Sequence, residues 1–437
     1  MRIAFIVGRF PALSQTFILR QITGLLDRGH DVEIFAHGSG REPVTHEDID
    51  KYSLLERTFY LDSYASSLNS IVRLVERLRL LVINSCKKPR IVSQTLNVTR
   101  FGKSALSLGV LHAIAPFLDK GPYDIVHCQF GPLGNLGLLL KDTGLLRGNL
   151  VTSFLGYDIS SYPKRHGERV YDKLFSRGDL FLCVSEHMKA KLVRLGCDPR
   201  KIIVHRLGAE VKKSSLSLTG PRRNGKLTIV TIARLVEKKG VEYGIQAVAK
   251  ILKRRPQIEY KIAGDGPLRN RLQLVIDELS AGESIKLLGW KDQAEIAELL
   301  KTSDILLAPS ITTETGDEEG TPVVIMEGFA QGLPVVSTYH AGIPEVVKDG
   351  KSGFLVAERD VDALAEKLEK LIEDPKLRFA MGQSGRAYVE EEYDIDTLND
   401  RLVAIYQQLV DGDLSHMPHR CKSAHRLWLS RDPKGRI

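Results

Sequence analysis

Two short apolar runs open the two halves of this 437-residue chain: Ile3-Ala4-Phe5-Ile6-Val7, ending in Gly8-Arg9, and Leu227 to Ala233, ending in Arg234. Continuous apolar runs of this length read as strands buried on both faces. Each is followed by a helical segment, from about Ser14 and from Val241. Further short strands then alternate with helices. In the first half they are Val32 to Ala36, Ile125 to Cys128, Leu150 to Phe154 and Leu180 to Val184. In the second they are Glu259 to Ala263, Ser284 to Leu288, Ile305 to Ala308 and Pro334 to Ser337. This alternation predicts an α/β fold of parallel sheets with helices on both faces, that is, two Rossmann-like halves. Ligands of such sheets bind beyond the carboxyl ends of the strands. The polar, Ser/Gly/Pro-rich segment 212–225, KKSSLSLTGPRRNG, reads as a linker between domains 1–211 and 226–389. Two domains of about 200 residues suit the length.

Composition excludes several classes. Five scattered cysteines, Cys86, Cys128, Cys183, Cys197 and Cys421, form no CxxC pair or Cys/His cluster, so neither a zinc site nor a disulfide framework is expected. A reducing cytoplasm follows as the expected location. The opening MRIAFIVGRF is too short in its apolar run for a signal peptide. No apolar stretch reaches the length of a membrane span. The formal charge is +8, unevenly spread. Within 66–105, Arg73, Arg77, Arg79, Lys87, Lys88, Arg90, Arg100 and Lys103 face Glu76 alone. Leu68, Ile71, Val72, Val75, Leu78, Leu81 and Val82 recur there at helical spacing. A basic amphipathic helix suits either an anionic membrane surface or a core-packed helix with one solvated face. Nucleic acid is not expected, because no aromatics interleave the basic residues. Residues 411–437 lose periodicity and read as a loose basic tail.

Residues 312–346 carry the chemistry. Glu319 and Glu327 lie eight positions apart around Gly320-Thr321-Pro322. The spacing predicts a loop Glu319, then a helix over Pro322 to Gln331 that holds Glu327 and ends at Gly332. The two carboxylates are then about 8–12 Å apart. A helix N-terminus between them is a ready anion site. Carboxylate, anion site, carboxylate suits a nucleotide sugar: sugar hydroxyls, diphosphate, ribose hydroxyls. The spacing alone fits a solvated loop Glu and a helix-face Glu equally well.

This segment resembles the E-x7-E signature of the retaining GT-B glycosyltransferases of family 4. The words Gly332-Leu333-Pro334-Val335-Val336, Ala341-Gly342-Ile343-Pro344-Glu345-Val346-Val347 and Gly350-Lys351-Ser352-Gly353-Phe354-Leu355-Val356 resemble it too. The opening Phe10 to Ile18 is similar to the branch that builds exopolysaccharides such as colanic acid and amylovoran, which commonly has Glu where this chain has Gln15. The resemblance implies a GT-B architecture, with a helix near 390–410 returning to the N-terminal domain. It implies that Arg234 and Lys239, in ARLVEKKG, hold the diphosphate. Gly264 and Gly266 of Gly264-Asp265-Gly266-Pro267 would form a nucleotide-contacting turn, near a base pocket at Leu288-Gly289-Trp290. Gly320, Thr321 and Val323 would present backbone to the donor, with Glu319 on the sugar and Glu327 on the ribose. Gly8, Arg9 and Asp158 fall on the acceptor side. No DxD pair follows a strand, so no metal and no cofactor beyond the donor is expected. The acceptor would be a glycan or lipid-linked saccharide, met in the cytoplasm or at the inner membrane face.

The pattern breaks once. Where the family places a His before Gly-x-Asp, this chain has Leu155, followed by Gly156-Tyr157-Asp158. Leucine neither bonds a hydroxyl nor moves a proton. Three readings stay open: His127 takes over at a strand's carboxyl end; the donor presents an apolar face such as a deoxy position; or the chain is a weakly active or inactive partner that binds nucleotide sugars. No carboxylate stands ready for a double displacement, and the family implies front-face attack with the leaving phosphate taking the acceptor's proton. A nicotinamide dehydrogenase would need G-x-G-x-x-G after the first strand; residues 8–13, GRFPAL, lack it.

Overall fold

The apolar runs assemble into two parallel sheets. A computed structural model describes residues 1–12, 15–40, 46–61, 70–145, 147–211 and 226–412. The expected linker 212–225, the tail beyond Gly412, the stretch 62–69 and the Arg73 side chain lie outside the described residues. The first sheet holds β1 (Arg2–Arg9), β2 (Asp31–Gly38), β3 (Thr58–Tyr60), β4 (Ile125–Gln129), β5 (Asn149–Phe154), β6 (Leu180–Cys183) and β7 (Ile202–Val204), in the order β3-β2-β1-β4-β5-β6-β7. The second holds β8 (Leu227–Ile232), β9 (Ile258–Ala263), β10 (Ile285–Gly289), β11 (Ile305–Ala308), β12 (Val335–Thr338) and β13 (Gly353–Val356), in the order β10-β9-β8-β11-β12-β13. Every pairing is parallel. Ile3 to Val7 of β1 are buried, as are Ile305 to Leu307 of β11, because helices cover both faces.

In each sheet the order reverses beside the first strand, between β1 and β4 and between β8 and β11. Crossovers there leave to opposite faces and open a crevice at the carboxyl ends. The crevice of one sheet holds Gly8 and Arg9, and that of the other holds Ala233 and Arg234.

Six helices matter for the site. They are α1 (Thr16–Asp27), α2 (Ser70–Lys87), α3 (Glu186–Arg194), α4 (Val241–Leu252), α5 (Val323–Ala330) and α6 (Ile395–Asp411). Helix α6 follows the second sheet in sequence but packs on the first. Its Leu402, Ile405, Tyr406 and Leu409 share a core with Ile18, Leu19, Ile22 and Leu25 of α1. Burying each of these side chains stabilises the contact by about 1.5–3 kcal/mol. Asp394 caps α6, accepting from the Thr397 amide at 3.2 Å, and Arg28 pairs with Asp400 at 2.7 Å.

The two halves also meet through polar loops. The Glu345 carboxylate accepts from the Glu186 and His187 amides, both at 3.0 Å, and so caps α3 from the opposite domain. Glu318 pairs with Lys191 and, at 3.3 Å, with His187. Burial pushes the Glu318 carboxyl up, but His187 and Lys191 outweigh it and bring it to about 2.

Among the described side chains of helix α2, apolar residues point both ways. Leu80 and Leu81 pack on the core and Asn84 is buried. Val75, Leu78, Val82 and Ile83 face out, with Val82 68% exposed. Among the described residues no helix is long and apolar enough to cross a membrane.

Candidate active site

The two crevices merge into one cleft of about 1220 Å³ lined from both domains. On the second domain its floor is the loop before α5. Pro322 is the N-cap of α5, and Val323 is its first residue. No side chain caps that end; the Ile325 amide donates to the Pro322 carbonyl at 3.1 Å, which leaves the Val323 and Val324 amides for a ligand. Glu319 lies in the loop and Glu327 inside the helix, and both line the cleft with Gly320, Thr321 and Val323.

Glu319 is charged and held. Its carboxylate lies 3.0 Å from Lys239 Nζ and 3.9 Å from Lys238 Nζ. Burial would raise its pKa, but Lys239 and then Lys238 lower it more, so the net direction is down. The Glu319 amide donates to His340 Nε2 at 3.1 Å. Both lysines come from a single 3-10 turn, Glu237–Lys239, so consecutive residues reach one carboxylate. Lys238 also lies 3.2 Å from Asp317. Arg234 is exposed at the mouth of β8 in the same cleft. Arg234, Lys238 and Lys239 therefore make a cationic rim beside the free α5 amides, suited to a diphosphate.

Glu327 has a partner from the first domain. Arg20 of α1 lies 3.5 Å from it and is only 7% exposed in its side chain. Arg20 Nε and Nη1 have no hydrogen-bond acceptor. Sequence reading missed Arg20, Lys238 and His340. Only Lys238 carried a signal, as the second lysine of EKKG.

The GDGP turn serves the protein backbone. Gly264 has φ +130°, and a Cβ there would sit 2.0 Å from the Ala233 carbonyl oxygen. A Cβ on Gly266 would sit 2.6 Å from the Leu235 carbonyl oxygen. These glycines let the turn seat the loop that carries Arg234. Gly264 lines the cleft; Gly266, expected to contact the nucleotide, does not.

On the acceptor side Gly8 and Arg9 line the cleft, and Arg9 is exposed. Two expectations are corrected. His127 is not at the cleft: it is fully buried in β4, its Nε2 2.7 Å from Ser153 Oγ and its Nδ1 2.6 Å from Tyr406 Oη of α6. Burial pushes its pKa down to about 3, so it is a neutral packed histidine. Asp158 is also fully buried and accepts from the amides of Gly131 (3.0 Å), Leu155 (3.1 Å) and Gly156 (2.8 Å). It braces the loops after β4 and β5, and does not line the cleft. Burial raises its pKa to about 6, against the pull of those amides.

Leu155 does line the cleft. Its carbonyl oxygen lies 2.3 Å from where a Cβ on Gly320 would stand, so only glycine permits this approach of the two domains. The leucine thus flanks the Glu319 loop directly.

Two Rossmann-like domains with facing strand ends, and a cleft with a cationic rim between them, define a GT-B glycosyltransferase architecture. HepE of Anabaena, solved with UDP and glucose, superposes with a TM-score of 0.67 at 18% identity, covering 93% of this chain and all of that one. A sucrose-phosphate synthase of Thermosynechococcus elongatus gives 0.70 at 19% identity, covering 94% of this chain and all of that one. The model of Glycosyltransferase Family 4 matches residues 14–212, and that of Glycosyl transferases group 1 matches residues 219–388. The chain is 36% identical to WcaL of Salmonella typhimurium, described for colanic acid biosynthesis, and 35% identical to the amylovoran biosynthesis glycosyltransferase AmsK of Erwinia amylovora. Each alignment covers 94% of this chain and the whole relative. The chain belongs to the family 4 glycosyltransferases.

Proposed function

We propose that this protein is a retaining, metal-independent hexosyltransferase of exopolysaccharide biosynthesis. It moves a sugar from a nucleotide-sugar donor to a glycan or lipid-linked saccharide. One observation carries the reading: a largely enclosed, ionised Glu319 stands between two lysines at the mouth of β8 and the uncapped N-terminus of α5. As the glycosidic bond to the diphosphate breaks, negative charge grows on the leaving oxygen. Arg234, Lys239 and the α5 amides stabilise that charge, and a fixed cation does so with little reorganisation. Glu319 orients sugar hydroxyls and Glu327 takes the ribose. The leaving phosphate accepts the acceptor's proton on the same face. Relatives described for colanic acid and amylovoran biosynthesis support the pathway class.

The test is a panel of nucleotide sugars scored first for binding and then for turnover, with and without EDTA. Turnover that survives chelation is expected. Binding without turnover on any acceptor would favour the non-catalytic partner motivated by Leu155. Turnover abolished by EDTA and restored by a divalent ion would overturn metal independence.

We also propose that the enzyme sits on the cytoplasmic face of an anionic membrane through α2. Val75, Leu78, Val82 and Ile83 are solvent-facing and share that helix with exposed Arg79 and Lys87. Apolar side chains among cations fit a negatively charged lipid surface, where each cation contributes about 1 kcal/mol.

A further inference from the structure

His340 lies outside every motif used so far, yet it touches the central loop of the site. Its side chain is fully buried. Its Nε2 lies 3.1 Å from the Glu319 amide nitrogen, and its Nδ1 lies 2.6 Å from Glu358 Oε1. An amide nitrogen can only donate, so Nε2 must present its lone pair. Nδ1 must then carry the proton and donate to Glu358. Both contacts thus demand one tautomer of a neutral imidazole.

Glu358 is itself held. It accepts from the Thr312 amide at 2.8 Å, from Thr312 Oγ1 at 3.0 Å and from Arg359 Nη1 at 3.2 Å. Burial raises its pKa, while the Thr312 amide and His340 lower it further, so it stays ionised. The backbone on either side of Glu319 is tied as well. Gly342 donates its amide to the Gly320 carbonyl at 3.3 Å, and the Glu318 amide donates to Ser160 Oγ at 3.3 Å. Of these ties, only the His340 contact acts on the Glu319 peptide itself.

We propose that His340, fixed in its Nδ1–H tautomer by Glu358, is a positioning residue that holds the Glu319 peptide and so aims the Glu319 carboxylate into the donor site. The chain Glu358, His340, Glu319 is a carboxylate–imidazole–amide relay. It does not touch the donor. The consequence for catalysis rests on the donor-site reading above, whereas the hydrogen bond itself does not.

The test compares two near-isosteric variants. His340→Gln keeps a strong acceptor within reach of the Glu319 amide; His340→Met fills the same space with only a thioether, a weak acceptor. The first readout is hydrogen–deuterium exchange over residues 317–321, which needs no activity. Exchange is expected to quicken in the Met variant and to stay near the parent rate in the Gln variant. The second readout is kinetic. A misplacement of about 1 Å can cost about 100-fold, so the Met variant should lose roughly 10–100-fold in kcat and the Gln variant should recover most of it. Nucleoside diphosphate affinity, set by Arg234 and Lys239, should stay within about twofold in both. If the Met variant does not fold, Glu358→Leu takes its place: it leaves Nδ1 only the long contact to Thr312 Oγ1 at 3.5 Å, so the tautomer can exchange and the 317–321 amides should again quicken. Unchanged exchange in the folded Met variant, or in Glu358→Leu where Met does not fold, overturns the relay whatever the activity. Faster exchange with equal kcat in the Met and Gln variants overturns the positioning role. A parent that transfers no sugar overturns the functional reading alone, since the exchange arm still decides the hydrogen bond.

Discussion

Lys239→Ala separates what the lysine does for the fold from what it does for the donor. In the structure Lys239 Nζ is 3.0 Å from Glu319, with side chains only 16% and 12% exposed. Lys238, at 3.9 Å, is the weaker partner. Removing one member of a buried pair costs about 3–5 kcal/mol, because the remaining charge stays desolvated. The surviving Lys238 places this variant near the low end, about 3 kcal/mol at pH 7. The sign of its pH dependence follows from Glu319. In the parent the folded pKa is depressed, so the carboxylate contributes stability above its unfolded pKa, and that stability is lost as pH falls through the folded value. Without Lys239, Lys238 is the nearest cation left to oppose burial, so the folded pKa rises from its depressed value. The parent's advantage is then largest above the unfolded pKa and shrinks as pH falls toward about 4. The gap between parent and variant in denaturant melts should therefore be wider at pH 7 than at pH 4.5. Adding Glu319→Gln should return most of the stability. Diphosphate binding should not return, because losing one strong cation costs about 2–4 kcal/mol of charge stabilisation, roughly 10²–10³ in rate. Isothermal titration with a nucleoside diphosphate reads that second effect. Equal destabilisation at both pH values, or a double variant no more stable than the single, would refute the pairing argument.

Other outcomes follow from the same geometry. Arg234→Ala, at an exposed cation, should weaken diphosphate binding with melting unchanged; binding equal to the parent's would remove it from the site. Asp158→Ala strips three amides of their acceptor and should cost about 2–4 kcal/mol in denaturant unfolding, since unsatisfied buried donors cost about 1–3 kcal/mol each and water relieves some. Leu155→His should lower turnover by roughly one to two decades if the donor shows it an apolar face, because an unpaired buried imidazole costs about 1–3 kcal/mol. A rise with an ordinary hexose donor would instead mark the leucine as a lesion, and no change would mean that the side chain does not touch the sugar. Val75→Asp with Val82→Asp should abolish sedimentation with anionic liposomes while leaving transfer to a soluble acceptor intact; parent protein that never sediments, even at low salt, ends the membrane proposal.

How far the sequence discloses this molecule depends on whether a signal is local. The runs Ile3 to Val7 and Leu227 to Ile232 are legible because strands covered on both faces must be apolar throughout. β3, β7 and β13 carry three or four residues each and were not anticipated. At three residues β3 and β7 have no periodicity of their own and become strands only by pairing with β2 and β6; β13 is as long as β11 and pairs with β12, with no physical reason for its having been missed. Glu319, Glu327 and Lys239 are legible because the family words keep them at set distances along one loop, one helix and one turn. His127 was misplaced for the opposite reason. A residue near a strand's carboxyl end can face the cleft or the layer behind it, and here Tyr406, 279 positions on, covers it. Asp158 could be read as a cap of its own turn through Gly156, but not as the brace of Gly131, the first residue of the helix after β4.

The α2 stripe is an instructive case, because its periodicity was correctly visible and its direction was not. Helical spacing states that one face is apolar; it cannot state whether protein or solvent lies over that face. Leu80, Leu81 and Asn84 point inward, so the helix has enough cover to be held against the domain. Val75, Leu78, Val82 and Ile83 are then surplus to folding. Leaving an aliphatic side chain in water forgoes about 1.5–3 kcal/mol of burial. Four on one basic helix is the pattern of a surface that meets something else. His340 makes the complementary point inside the site. Buried polar groups must find partners, and its partners, Glu319 and Glu358, sit on loops 21 and 18 positions away. Neither spacing marks a motif, so the relay becomes visible only when the loops at the ends of β11, β12 and β13 are brought together by the sheet.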